Sequence, residues 1–177
     1  FEKEDLRRKL LISEFVDQSG NQIYLNRDES GNHLDNVRSF KYWPDPNAVG
    51  ENNGNDIVYV RFADILLAKA EALNEKDGPN SESINLINKI RLRANATEIK
   101  AGDFSTKEEL RDFILEERGR EFYSEGLRRE DLIRHGKFIS GAVERAKDAK
   151  QHQIRFPIPQ RQIEANDKLV QNEGYSQ

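Results

Sequence analysis

The stretch KEELRDFILEERGREFYSE, residues 107–125, has the period of an amphipathic helix, but its apolar face carries carboxylates. Leu110, Phe113 and Ile114 define the core face, and at about 100° per residue Glu117 and Glu121 land in the middle of it. Arg118 and Glu125 fall at its margin. An inward-facing carboxylate is tolerated only when it is paired and hydrogen-bonded. The chain must therefore fold so that cations converge on this helix. Sequence neighbours offer Arg128 and Arg134 beyond Gly126, Arg91 and Arg93 before it, and an Arg118–Asp131 pairing. The expectation is a structural ion-pair lattice over Glu117, Arg118, Glu121, Arg128 and Asp131.

The competing reading is a catalytic pair of carboxylates. A glycosidase needs two carboxyls roughly 5 to 9.5 Å apart across a cleft. Glu117 and Glu121 lie one turn apart on one face, which supplies a spacing of about 6 Å but no opposing wall. Arginines close by would also hold both ionised and so disfavour a general acid.

Charge elsewhere follows the same mixed pattern. Charged residues make up 34% of the 177, yet the net charge is only −4, with both signs interspersed. That excludes the basic face of a nucleic-acid binder. The absence of cysteine excludes disulfides, thiolate zinc sites and thiol nucleophiles. No apolar run approaches the roughly 20 residues of a membrane span. The chain opens on Phe1 and has no methionine, so the start of translation is expected upstream, together with any signal peptide or lipid-bearing cysteine.

Residues 1–56 are expected to be loop-rich. The apolar runs Leu10–Phe15 and Ile23–Leu25, separated by Ser19-Gly20-Asn21 and followed by Ser30-Gly31-Asn32, predict two short strands, arranged as a hairpin. KYWPDPNAVGENNGND, residues 41–56, has two prolines, two glycines and no periodicity, and reads as a long loop. Within it Asp45, Asn47, Gly50, Asn53 and Asp56 mimic the spacing of a calcium loop. Val49 at the fifth position, a terminal Asp in place of Glu and the lack of a preceding amphipathic helix favour a polar turn instead. Tyr42 and Trp43, the sole tryptophan, could stack on a sugar face, with packing as a loop anchor the favoured alternative. His33, His135 and His152 lack ligand spacing, which leaves no expected metal or cofactor.

Residues 57–177 read as helical. IVYVRFADILLAKAEALNE confines Arg61, Asp64, Glu71 and Glu75 to one narrow stripe, which predicts a central helix packed on several neighbours. Asp77-Gly78-Pro79-Asn80 ends it. Ser81 is the expected N-cap of the next helix, whose inner face is Ile84, Ile87, Ile90 and Ala94. Thr106 caps the charged helix, with Glu109 completing a capping box. LRREDLIRHG and FISGAVERAKDA predict two further helices. IRFPIPQRQIEAND predicts an extended stretch, a Pro-x-Pro turn and a short helix ending near Asn166. Leu67, Ala68, Glu71 and Ala72, then Ser83, Ile87 and Ile90, follow a tetratricopeptide pattern. A second hairpin keeps the helix lengths but not the small residues.

These segments also resemble, in order and spacing, the C-terminal part of the SusD/RagB family, over residues 41–175. The resemblance rests on Arg61, Ala63 and Asp64 opening a Leu-rich helix; on Glu117, Arg118 and Glu121; on Gly126, Arg128, Asp131 and Leu132; and on Pro157 to Pro159, Asn166, Gln171, Asn172, Gly174 and Tyr175. Gly119 departs from the pattern, where a helix-favouring residue is usual.

The resemblance implies a mainly α fold of tetratricopeptide-like hairpins and a single family-type C-terminal domain over 1–177 that is part of a longer chain. It implies a non-catalytic, cell-surface lipoprotein of a Gram-negative outer membrane. Such a protein binds glycans and delivers them to a TonB-dependent, SusC-like transporter, with much of the ligand site upstream. The alternatives are a tetratricopeptide-like protein-docking module and an α-helical glycoside hydrolase. One tryptophan and no opposed carboxylates weigh against the hydrolase.

Overall fold

A computed structural model describes residues 1–28, 30–31, 36–50 and 52–176. Asn32 and His33 lie outside the described residues. The chain is mainly α, with six α-helices and four short strands among the described residues. It divides into two compact units, 1–126 and 127–177, whereas the composition changes at 56/57.

The first unit opens with a 3-10 turn, Leu6–Leu10, capped by the Asp5 carboxylate on the Arg7 amide at 3.0 Å. The expected strand over Leu10–Phe15 is split. β1 (Leu11–Ile12) pairs antiparallel with β4 (Arg38–Ser39), and β2 (Glu14–Val16) pairs with β3 (Gln22–Tyr24). Leu10 is instead drawn into the 3-10 turn, because the turn is tied down through the Leu6 amide on the Ala94 carbonyl at 2.8 Å. The β2–β3 hairpin does form as expected. Asp17 accepts from the amides of Ser19 and Asn21, and Gly20 takes φ 85°, which suits a residue without Cβ.

α1 runs Phe62–Asp77, five residues later than the periodicity suggests. Ile57 to Val60 are β-branched or aromatic and disfavour helix. They stay outside any helix and exposed, and Arg61 itself sits at φ −137°, ψ 162°. Nor is α1 enclosed all round. Leu67, Ala70 and Asn74 are buried towards α2 and α3, but Phe62 is 73% exposed and Ile65 is exposed too.

Gly78, at φ 76°, ends α1, and its amide reaches the Asn74 carbonyl. α2 runs Ser81–Arg93. Its N-cap is Asn80 rather than Ser81, since the Asn80 side chain accepts from the Ser83 amide at 2.9 Å while Ser83 Oγ answers the Asn80 backbone. Ile84, Ile87, Ile90 and Ala94 are buried as expected. Each isoleucine so buried contributes on the order of 2 kcal/mol.

α3 runs Lys107–Glu121 behind the Thr106 cap. Glu109 reaches back to the Ser105 amide at 2.6 Å, so the expected capping box is displaced by one residue. Leu110, Ile114 and Leu115 are buried. Ser124 and Gly126, both at positive φ, turn the chain after α3.

In the second unit α4 (Arg128–Arg134) is only seven residues long, so the expected second hairpin does not keep the helix lengths of the first. α5 spans Phe138–Glu144 and α6 Gln160–Ala165. This unit is fastened by side chains on backbone. Gln171 accepts from the Ile158 amide and donates to its carbonyl, at 2.8 and 2.9 Å. Asn172 donates to Phe156 O and the Tyr175 hydroxyl to Arg155 O. At Gly174, φ 87°, a Cβ would come within 2.4 Å of the His152 ring.

Candidate functional site

Two polar regions of the first unit compete for the role of functional site. The first is the buried face of α3. Glu117 and Glu121 are 0% and 2% exposed. Glu117 accepts from Arg7 at 2.8 Å, Arg91 at 2.7 Å and Arg120 at 3.0 Å. Glu121 accepts from Arg7 at 2.9 Å and from Arg61 and Arg93 at 2.6 Å. Arg7 bridges both and also holds Asp5 at 2.7 Å. Aromatic rings fill the spaces between: Phe122 lies under Arg61 and Arg118, and Phe113 under Arg91 and Arg120.

Burial opposes ionisation of Glu117, but the charges of Arg7 and Arg120 and the hydrogen bond from Arg7 overcome it and hold its carboxyl below the usual range. At the edge of the lattice, Glu2 accepts from the Thr97 amide and from Arg91, and its carboxyl falls to about 2.

Of the partners suggested by the sequence, Arg91 and Arg93 meet these carboxylates. Arg118 donates to Asp64 at 2.7 Å. In the second unit Asp131 is buried and accepts from Arg134 at 3.1 Å, and Arg128 is half-buried at the start of α4. Arg7 was invisible from the sequence because it lies 110 residues from Glu117 in a segment without periodicity. Arg61 is legible in the sequence as part of a polar stripe and of the family resemblance, both on a helix that it in fact precedes.

The second region is the loop over residues 41–56. Both its flanks are fastened to the end of α3. Lys41 Nζ donates to Glu125 and to the Glu121 carbonyl, above the Tyr123 ring. Arg61 donates to Glu125 through Nε at 2.8 Å and to the Glu121 carbonyl at 2.7 Å. Burial opposes ionisation of Glu125, and the hydrogen bonds from Arg61 and Lys41 keep its carboxyl below the usual range all the same. For Lys41 burial wins and pushes the ammonium down despite Glu125.

Inside the loop Asp45 is the hub, accepting from the amides of Asn47 at 2.9 Å and Gly54 at 2.7 Å. The first acid of the calcium-like pattern is thus used by the loop's own backbone. Among the described residues no group of three or more His, Asp or Glu side chains could hold a metal. His152 instead stacks edge-on with Tyr175, ring centroids 4.7 Å apart.

Asn55 Nδ2 donates to the Trp43 carbonyl at 2.8 Å. The Trp43 ring meets Phe40 edge-on at 6.1 Å but remains 70% exposed, so the expected anchor is not a buried one. Between this loop and the turn after α3 lies an open cleft of about 590 Å³, lined by Tyr42, Asn52, Asn53, Asn55, Asp56 and Ser124, with Ile57 and Glu125 at its sides.

The SusD family model matches residues 14–152, which takes in α1 to α5 and the whole 41–56 loop, and leaves Arg7 and Asp5 of the α3 lattice outside it. The chain belongs to the SusD family. A SusD-like protein of Formosa agariphila is 37% identical over 126 residues, 68% of this chain and 25% of its own length. The starch-binding protein SusD of Bacteroides thetaiotaomicron is 34% identical over 128 residues, 68% of this chain and 22% of its own. The chain thus spans about a quarter of the length of these SusD relatives.

A solved SusD superfamily protein from Bacteroides vulgatus superposes on 66% of this chain and 27% of its own, with a TM-score of 0.56 and 30% identity. NanU of B. fragilis, 23% identical, shares the fold across 100% of this chain and 38% of its own, at a TM-score of 0.60. The tetratricopeptide-like, mainly helical SusD architecture is therefore the architecture of this chain. Of the residues that carried the SusD resemblance, Arg61 and Glu121 meet directly, Asp64 and Arg118 meet directly, and Gln171, Asn172 and Tyr175 each bond backbone within the second unit.

Proposed function

We infer that this chain is part of a non-catalytic glycan-binding protein of nutrient uptake, and that the 41–56 loop supplies part of its sugar contact. The observation that carries this reading is Trp43, an exposed indole whose backbone carbonyl is held by Asn55, one of the asparagines that line the cleft. Sugar rings present C–H faces that stack on aromatic surfaces and hydroxyls that pair with amides, each of which both donates and accepts. Glu117 and Glu121, in contrast, are structural. Every carboxylate oxygen is engaged by a guanidinium, and Glu117 is held ionised, which is the wrong state for a general acid.

Membership of the SusD family supports the rest of the proposal. The full protein would sit at the outer surface of a Gram-negative outer membrane and pass oligosaccharides to a SusC-like, TonB-dependent transporter. Because the chain is about a quarter of its relatives' length, the binding expected of it alone is weak, in the millimolar range, worth about 4 kcal/mol. Titration with a panel of oligosaccharides, followed by Trp43 emission and by isothermal calorimetry, tests this. Saturable binding lost in Trp43→Ala supports it. Release of new reducing ends from the panel, abolished by Glu117→Gln, would replace it with a hydrolase.

A further inference from the structure

Resting on that glycan-binding reading, we propose that the cleft beside the 41–56 loop selects neutral oligosaccharides against uronate-bearing or sulfated ones. Its polar lining divides into two kinds. Asn52, Asn53, Asn55, Tyr42 and Ser124 offer uncharged donors and acceptors, while the carboxylates are Asp56 and Glu125, the latter already held by Arg61 and Lys41. Among the described residues no lysine or arginine lines it.

The cations that flank the loop are turned away from this role. Lys41 and Arg61 line a separate cleft of about 240 Å³, and their donors are committed to carboxylates and carbonyls of the α3 end. Arg61 gives Nε and one terminal nitrogen to Glu125 and the other terminal nitrogen to Glu121 Oε1. Lys41 gives its ammonium to Glu125 and the Glu121 carbonyl. Freeing either would leave Glu125 half-paired in a partly buried position.

An acidic sugar would therefore find no charge-assisted donor here, although such pairs are the strong hydrogen bonds that anionic ligands rely on. It would also meet Asp56, which is exposed on the loop. At about 6 Å in a water-like dielectric, one ligand carboxylate facing Asp56 loses about threefold in affinity, and the loss grows as the cleft dries on binding. A neutral sugar loses nothing of this kind and pairs its hydroxyls with the asparagine amides. Its binding should be insensitive to salt, whereas the penalty on an acidic sugar should shrink at high salt.

The test uses matched tetrasaccharides, mannotetraose against tetramannuronate and galactotetraose against tetragalacturonate, titrated into the chain at low salt and followed by calorimetry. The expected result is at least threefold tighter binding of the neutral member of a pair. Asp56→Lys should shift the ratio of the two affinities about tenfold towards the uronate. Equal or tighter binding of the uronate by the native chain overturns the selectivity while leaving glycan binding in place. An unshifted ratio in Asp56→Lys overturns it too, because the sugar is then held elsewhere. Binding of neither class removes the glycan reading itself, and the selectivity with it.

Discussion

The α3 lattice and the 41–56 loop are built from the same kinds of residue and behave as opposites. In the lattice Glu117 and Glu121 are sealed, and each is shared among three arginines. In the loop Asn53, Asn55 and Asp56 are exposed along the open cleft. The comparison teaches that a carboxylate's role follows from its remaining valence. A buried one with both oxygens engaged by guanidinium groups holds structure, whereas an exposed amide beside an exposed ring can still take a ligand. Glu125 links the two, since it belongs to the lattice by its partners and borders the cleft by its position.

The largest effect that could break the comparison is Glu117→Ala. It takes one carboxylate partner from each of Arg7, Arg91 and Arg120 around a buried site and should cost on the order of 3 kcal/mol. For a chain of this size that lowers the melting temperature by about 10 °C. An unchanged melting curve would show that the lattice does not hold the fold.

Acid titration addresses the same region. Glu117, Glu125 and Glu2 all have folded values below the ordinary 4.5, Glu2 at about 2. Carboxyls depressed on folding give stability that is fully present above the unfolded value and is lost as pH falls through the folded one. Stability should therefore hold above about pH 5 and decline between pH 4.5 and about 2. Glu117→Gln should flatten that decline, as chemical denaturation at several pH values would reveal.

A smaller effect is expected at Glu125. Glu125→Gln removes the charge that Lys41 and Arg61 share, at about 1 to 2 kcal/mol. Amide exchange over residues 42–60 should quicken several-fold, with the α3 amides unaltered. Uniform quickening across both would show that loop and lattice are not separate regions. Smallest of all is Trp43→Ala, for which the exposed ring predicts a stability change within about 0.5 kcal/mol.

Much of the helical part was legible because packing on one face leaves a 3.6-residue signature. Ile84, Ile87, Ile90 and Leu110 announce their burial, and Glu117 and Glu121 announce the need for cations. What could not be read was where the cations come from. Arg7 reaches α3 across 110 residues, and no local pattern encodes such a contact. α1 starts later than its periodicity suggests because Ile57 to Val60 share the apolar period of the helix while their branched and aromatic side chains resist it. For the candidate site the sequence supplied Tyr42 and Trp43, but the cleft depends on Lys41 and Arg61 fastening both ends of the loop to Glu125, a tertiary arrangement.

The central claim is that binding resides in the loop and stability in the lattice. It is tested most directly by titrating neutral oligosaccharides into the native chain, Trp43→Ala and Glu117→Gln under one calorimetric protocol, with the melting temperature of each recorded. The prediction is that Trp43→Ala loses the binding heat at an unchanged melting temperature. Glu117→Gln should keep the binding heat, measured below its own lowered transition. Retained binding in Trp43→Ala together with binding lost in folded Glu117→Gln would contradict the account and move the site onto α3.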